Sequence, residues 1–124
     1  MSAQNTNVTT QKLIFACSGA ADVGAIADLA ARGMAKQGMG QLICLAAVAA
    51  RIEWYISKAQ KADAIVVVDG CGMDCGRKCL EHLGFSSFKH IRVTDSGLEK
   101  GKSLPGKENV QKVIDFARAK LQDN

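Results

Sequence analysis

The stretch that most narrows the possible folds is AIVVVDG, residues 64–70. Ile65, Val66, Val67 and Val68 leave no polar position on either face of a strand. A strand that is apolar on both faces has to be covered on both, the situation of an interior strand in a parallel sheet. Its β-branched side chains are stiff at χ1 and fit a pleated, packed surface. Asp69 and Gly70 then end the run and open a turn.

The flanking segments alternate around this strand. KLIFACSG (12–19) is a shorter apolar run ended by Ser-Gly and reads as a buried strand. Val23, Ile26, Ala27, Ala30 and Met34 recur at helical spacing, with Asp22 placed to cap that helix. QLICLA (41–46) is a second strand candidate, followed by a helical stripe through Leu45, Val48, Ala49, Ile52, Tyr55, Ile56 and Ala59. MDCGRKCLEHLG (73–84) predicts a short helix closed by Gly84. FKHIRVTD (88–95) alternates apolar and polar residues and suits an edge strand, and residues 110–121 carry a last amphipathic helix.

The order β-α-β-α-β-α-β-loop-α implies an α/β fold: a mostly parallel sheet of about four strands with helices on both faces, of the Rossmann or flavodoxin type. By analogy with doubly wound folds the expected strand order is 2-1-3-4. The chain has 124 residues, which suits one domain, read here as residues 12–124 behind a disordered leader over 1–11. That leader is polar and lacks the apolar core of a signal peptide, and no apolar run is long enough to span a membrane. A cytoplasmic location is therefore expected. The net charge of +4 is spread along the chain without interleaved aromatics, which argues against a nucleic-acid partner. The pattern permits a monomer or a homodimer.

The five cysteines are the chemically distinctive residues. An odd count in a reducing compartment points to metal ligation or thiol chemistry rather than structural disulfides. Cys17 falls at the end of the first strand, Cys44 near the end of the second and Cys71 just after the third. Ligands of open parallel sheets bind beyond the carboxyl ends of the strands, so these three are expected at one edge, with Cys75 joining them from the start of the next helix. Converging thiolates suit a tetrahedral soft or borderline metal. For Cys44, inside an apolar run, core packing and ligation are equally good readings of the pattern. Cys79 lies about 6 Å further along its helix than Cys75 and in register with Leu83, so it reads as a core or spare thiol.

Other residues carry weaker signals. CSGAADVG (17–24) is a strand-to-helix turn that could cradle an anion, but it lacks the features of a phosphate loop, and an ordinary tight turn is the better reading. Asp69 either bonds backbone amides beside the site or merely ends its strand. His82 and His90 read as isolated and solvent-facing, Trp54 as partly buried or part of a contact surface, and Arg77, Lys78 and Lys100 as solvated charges on a positive rim.

Three blocks in order, CSG (17–19), CLA (44–46) and DGC (69–71) followed by Cys75, make the chain resemble the DGC-domain family, a bacterial and archaeal group described as zinc-binding. The resemblance spans roughly residues 12–101. It implies zinc held by Cys17, Cys44, Cys71 and Cys75, and it gives Cys79 no counterpart. It identifies a site and not a reaction. Three functions follow in order: a zinc protein of structural or sensory role, a redox protein using the same cysteines as a dithiol or an iron–sulfur site, and a thiol enzyme with Cys17 or Cys71 as nucleophile. The last ranks lowest because neither thiol has an evident base.

Overall fold

The computed structural model describes residues 11–122. In chain order the elements are β1 (Lys12–Ala16), α1 (Asp22–Lys36), β2 (Gln41–Leu42), α2 (Leu45–Ala49), α3 (Glu53–Gln60), β3 (Ala64–Asp69), α4 (Cys75–His82), β4 (Lys89–Arg92), a 3-10 turn (Val93–Ser96) and α5 (Lys107–Gln122). The four strands form one parallel sheet in the order β2-β1-β3-β4, the 2-1-3-4 arrangement expected of a doubly wound fold. Among the described residues, no helix is long and apolar enough to cross a membrane.

Strand alternation divides the core in two. Ile14, Ala16, Val66, Val68 and Ile91 face α1 and α5, where Val23, Ile26, Ala30, Met34, Val113 and Ala117 meet them. Leu13, Phe15, Ile65 and Val67 face the other way, onto Val48, Ala59 and Leu80 of α2, α3 and α4. Each large aliphatic or aromatic side chain buried this way contributes roughly 1.5–3 kcal/mol. β1 and β3 are therefore covered on both faces, as their sequences require. The chain leaves β1 through α1 on one face and leaves β2 through α2 and α3 on the other, so the order reverses between the carboxyl ends of β1 and β3.

Several sequence-based boundaries change. The helical stripe expected from Leu45 to Ala59 is two helices, separated at Arg51, whose φ is +61°. Ile52 N–H donates to the Ala47 carbonyl and Arg51 N–H to that of Val48, the bonding of a Schellman stop. Glycine is the usual residue at such a stop, and arginine there conceals the break. The same closure at Gly84 (φ +93°) ends α4 as expected. The second strand stops at Leu42, and Cys44 is the residue preceding α2 rather than part of a strand. β4 occupies the edge as expected, but it ends at Arg92, and Val93–Ser96 coils into a 3-10 turn. Asp22 is not the cap of α1 but its first residue; Ala21 holds the cap position. Of the leader expected over 1–11, Gln11 falls within the described residues, and its N–H donates to Asp63 at 2.7 Å.

Candidate metal centre

At the point where the strand order reverses lies a cleft of about 310 Å³ whose lining includes Cys17, Cys71, Cys75, Asp69, Asp74 and Lys100. Two glycines bring its walls together. A Cβ on Gly70 would sit 2.8 Å from Gly24 N and from the Val23 carbonyl carbon, and a Cβ on Gly24 would sit 2.6 Å from Gly19 O. The first turn of α1, the turn after β1 and the DGC turn after β3 therefore touch backbone to backbone, which only glycine permits. Cys17, at the end of β1, is half-buried, and Cys71 is too. Cys75 is the exposed first residue of α4.

The cleft is not the whole thiol array. A second cleft of about 750 Å³ also reaches Cys17, together with Cys44, Cys79, Trp54, Tyr55, Asp28 and Arg32. Cys17 thus borders both. Cys44 is exposed, which removes the core-packing alternative for it. Cys79 was expected to be in the core or spare; it is half-buried and lines this second cleft. Trp54 is 61% exposed and stands edge-on to Tyr55, with ring centroids 4.9 Å apart.

Electrostatics tie the thiols to the carboxylates beside them. Burial pushes the Cys17 thiol above its usual range, and the charges of Asp69 and Cys75 add to that. Backbone N–H groups of Gly19 and Gly70 hydrogen-bond its sulfur and pull the other way. Burial and Asp69 likewise raise Cys79. Lys100 Nζ donates to Cys71 Sγ at 3.7 Å.

Asp69 has a defined task. It is buried, and its carboxylate accepts from Gly76 N–H at 2.7 Å and from Arg77 N–H at 3.0 Å. These are amides of the first turn of α4, so Asp69 serves that helix as a cap although it lies on β3. Gly76 is needed for this contact, because a Cβ there would lie 2.9 Å from Asp69 Oδ1. His90 Nε2 sits 2.9 Å from Asp69 Oδ2, so the histidine expected to be isolated is half-buried and partnered. Asp74, at the cap position itself, has φ +52° and makes no cap bond with its side chain. Its carboxylate is instead gripped by Arg92 at 2.9 and 2.6 Å and by Arg77 at 2.9 Å. That grip, with Arg92 first, holds the Asp74 carboxyl down to about 2.

Sequence reading missed this network. Its signal was the i, i+2 pairing of His90 and Arg92 on β4, taken for a solvated face when that face covers two buried carboxylates. Of the rim charges, Arg77 and Lys100 have partners in the site.

Two donor groups can be compared for a metal. Asp69, Asp74 and His90 each place a ligand atom within 4.8 Å of the others. Their lone pairs, however, already serve two amides and two guanidinium groups, and those cations oppose a further cation. The thiols are soft donors, with Cys17 accepting from the Gly19 and Gly70 amides and Cys71 from Lys100. The five cysteines do not form a trio with sulfurs mutually within 4.8 Å. A tetrahedral zinc–thiolate centre, with Zn–S near ~2.3 Å, would draw them closer than that. By donor chemistry the thiols fit zinc; by position, Cys17, Cys71 and Cys75 share one cleft and Cys44 lies in the next.

A relative from Pseudomonas aeruginosa, the anaerobic and virulence modulator AnvM, is 26% identical over 88 residues, covering 71% of this chain and 67% of that protein. No solved structure matches the chain. The DGC domain family matches residues 13–117, both walls of the cleft and the helices behind them included, so the chain belongs to the DGC domain family.

Proposed function

We propose that this protein binds zinc through thiolates of Cys17, Cys71 and Cys75, with Cys44 as the fourth ligand, and that the centre is structural or sensory. The observation that carries the reading is the cleft between β1 and β3, which Cys17 lines from the end of β1 and Cys71 and Cys75 from the turn after β3 and the start of α4, at the position that doubly wound sheets use for ligands. Inward rotation of the thiols, that of Cys44 most of all, is what the reading requires. Four protein ligands leave no position open for a substrate, which favours a structural or sensory role over catalysis. The metal would supply a fold-stabilising crosslink between the turns after β1, β2 and β3.

The second reading is a redox protein in which the same cysteines form a dithiol or hold an iron–sulfur cluster. It is favoured by the second cleft, where Cys17, Cys44 and Cys79 lie together. The name of the Pseudomonas relative, a modulator tied to anaerobic conditions, suits either a redox or a metal sensor.

Purification without oxygen, followed by metal analysis and a visible spectrum, separates the two. Stoichiometric zinc without a visible band is expected. Iron with sulfide-to-iron absorption would establish the second reading instead. Metal-free protein with five freely titrating thiols would refute both metal centres.

A further inference from the structure

The loop after the 3-10 turn reaches the thiol cleft through Lys100 and is fastened to the start of α1. Ser103 is buried, accepts from Glu99 N–H at 3.0 Å and donates to the Glu99 carbonyl at 2.8 Å, closing the turn between them. Gly101, with φ +88°, allows the tight reversal inside it. Asp22, at the start of α1, accepts from Gly101 N–H at 2.9 Å and from Ser103 N–H at 3.0 Å. The anchor and the cleft wall therefore belong to the same helix turn. Within the anchored loop sits Lys100, among the described residues the one basic side chain lining the cleft, with Nζ 3.7 Å from Cys71 Sγ.

We propose that Lys100 is the charge-compensating residue of the thiol centre, held over Cys71 by the Asp22 latch. The inference rests on the thiolate–zinc reading and deepens it. Cysteines ligate as thiolates, so four of them around a dication leave two surplus negative charges in a cleft that also borders Asp69 and Asp74. Arg92 and Arg77 are occupied by Asp74, which leaves Lys100 to face the sulfur side. Because its ammonium group is exposed, its effect is modest and salt-sensitive.

The test uses the full chain with Lys100→Gln, Lys100→Glu and Lys100→Arg. Zinc affinity is measured by competition with a chromophoric chelator at low and high salt. Lys100→Gln is expected to weaken binding about threefold and Lys100→Glu about tenfold, Lys100→Arg to bind as the parent does, and the differences to shrink at ~1 M salt. In parallel, chelator-treated protein is alkylated at Cys71 with anionic iodoacetate and neutral iodoacetamide, and the modified peptide is quantified. The iodoacetate-to-iodoacetamide rate ratio should fall about threefold in Lys100→Gln, since a nearby cation draws in the anionic reagent. Unchanged affinity and an unchanged ratio in Lys100→Glu would overturn the role of Lys100 while leaving the zinc reading intact. A parent protein that binds no zinc, yet shows the falling ratio, would overturn the zinc reading and leave the Lys100–Cys71 pairing standing. Losses that are insensitive to salt and not restored by Lys100→Arg would mean that Lys100 acts through the fold, and would also overturn the proposal.

Discussion

Gly70 and Gly72 flank Cys71, and the structure assigns them opposite tolerances. A methyl group on Gly70 would lie 2.8 Å from Gly24 N and the Val23 carbonyl carbon and 2.9 Å from Val23 O, all backbone atoms of the first turn of α1. No rotamer change can relieve that contact. Restoring an ordinary separation of 3.4 Å requires the turn to retreat by about 0.6 Å, against a helix packed over the core through Val23 and Ile26. Overpacking costs of this kind run to roughly 1–3 kcal/mol, and an all-backbone contact belongs at the upper end, so Gly70→Ala should lose roughly 2–3 kcal/mol. At roughly 4 °C per kcal/mol for a chain this long, the melting temperature should drop by roughly 8–12 °C. A methyl group on Gly72 meets nothing within 4 Å, and its φ is not in the left-handed range. Gly72→Ala should therefore be neutral or stabilising by up to about 1 kcal/mol, through loss of freedom in the unfolded chain. Urea and thermal melts followed by circular dichroism compare the two. Equal melting of both variants would refute the claim that the turns after β1 and β3 meet backbone to backbone.

Further outcomes follow from the same geometry. Asp74→Asn keeps a side chain that tolerates φ > 0 and removes the charge that Arg92 grips. Because the carboxyl is held at about 2 against an ordinary 3.8, ionised Asp74 contributes about 2 kcal/mol above pH ~4, about half of it remains at pH 3, and the rest is lost as pH falls through 2. Urea midpoints of chelator-treated parent and Asp74→Asn should therefore differ most at pH 7, with the gap narrowed to about a third at pH 2.5; a constant gap would remove the ion pair as the cause. For the metal, Cys75→Ser should lower zinc occupancy strongly, whereas Cys79→Ser should leave it near the parent level. Equal losses in metal analysis would bring Cys79 into the ligand set.

Most of the architecture could be read from residue patterns because it depends on short-range periodicity. The doubly apolar run 65–68 required a sheet covered on both faces, and the alternation of strand and helix signals around it led to the parallel order. Where reading failed, a residue stood in a conformation its type seldom adopts. Arg51 ends α2 in a left-handed conformation usually left to glycine, so the stripe of apolar residues ran on past a real break. The three signature blocks pointed to the cysteines, and Asp69 was seen as a residue that could bond amides near them.

What the sequence could not carry is everything set by approach between distant segments. Nothing local to Gly70 says that α1 presses on it, and nothing local to Asp69 says that its two oxygens cap a helix that starts six residues later. The same holds for His90 and Arg92, whose alternation looked like a solvated edge until α4 brought Asp74 beneath them. Helix register and the lack of a family counterpart set Cys79 apart from the other thiols, whereas its place in the second cleft depends on how α2 and α4 sit against β1. Sequence by itself determined that a sheet edge would gather thiols, since strand ends and residue types are local properties. Tertiary structure decided which thiols share a cleft, which cation faces them and which carboxylates are already occupied, because those depend on contacts between segments that the chain holds far apart.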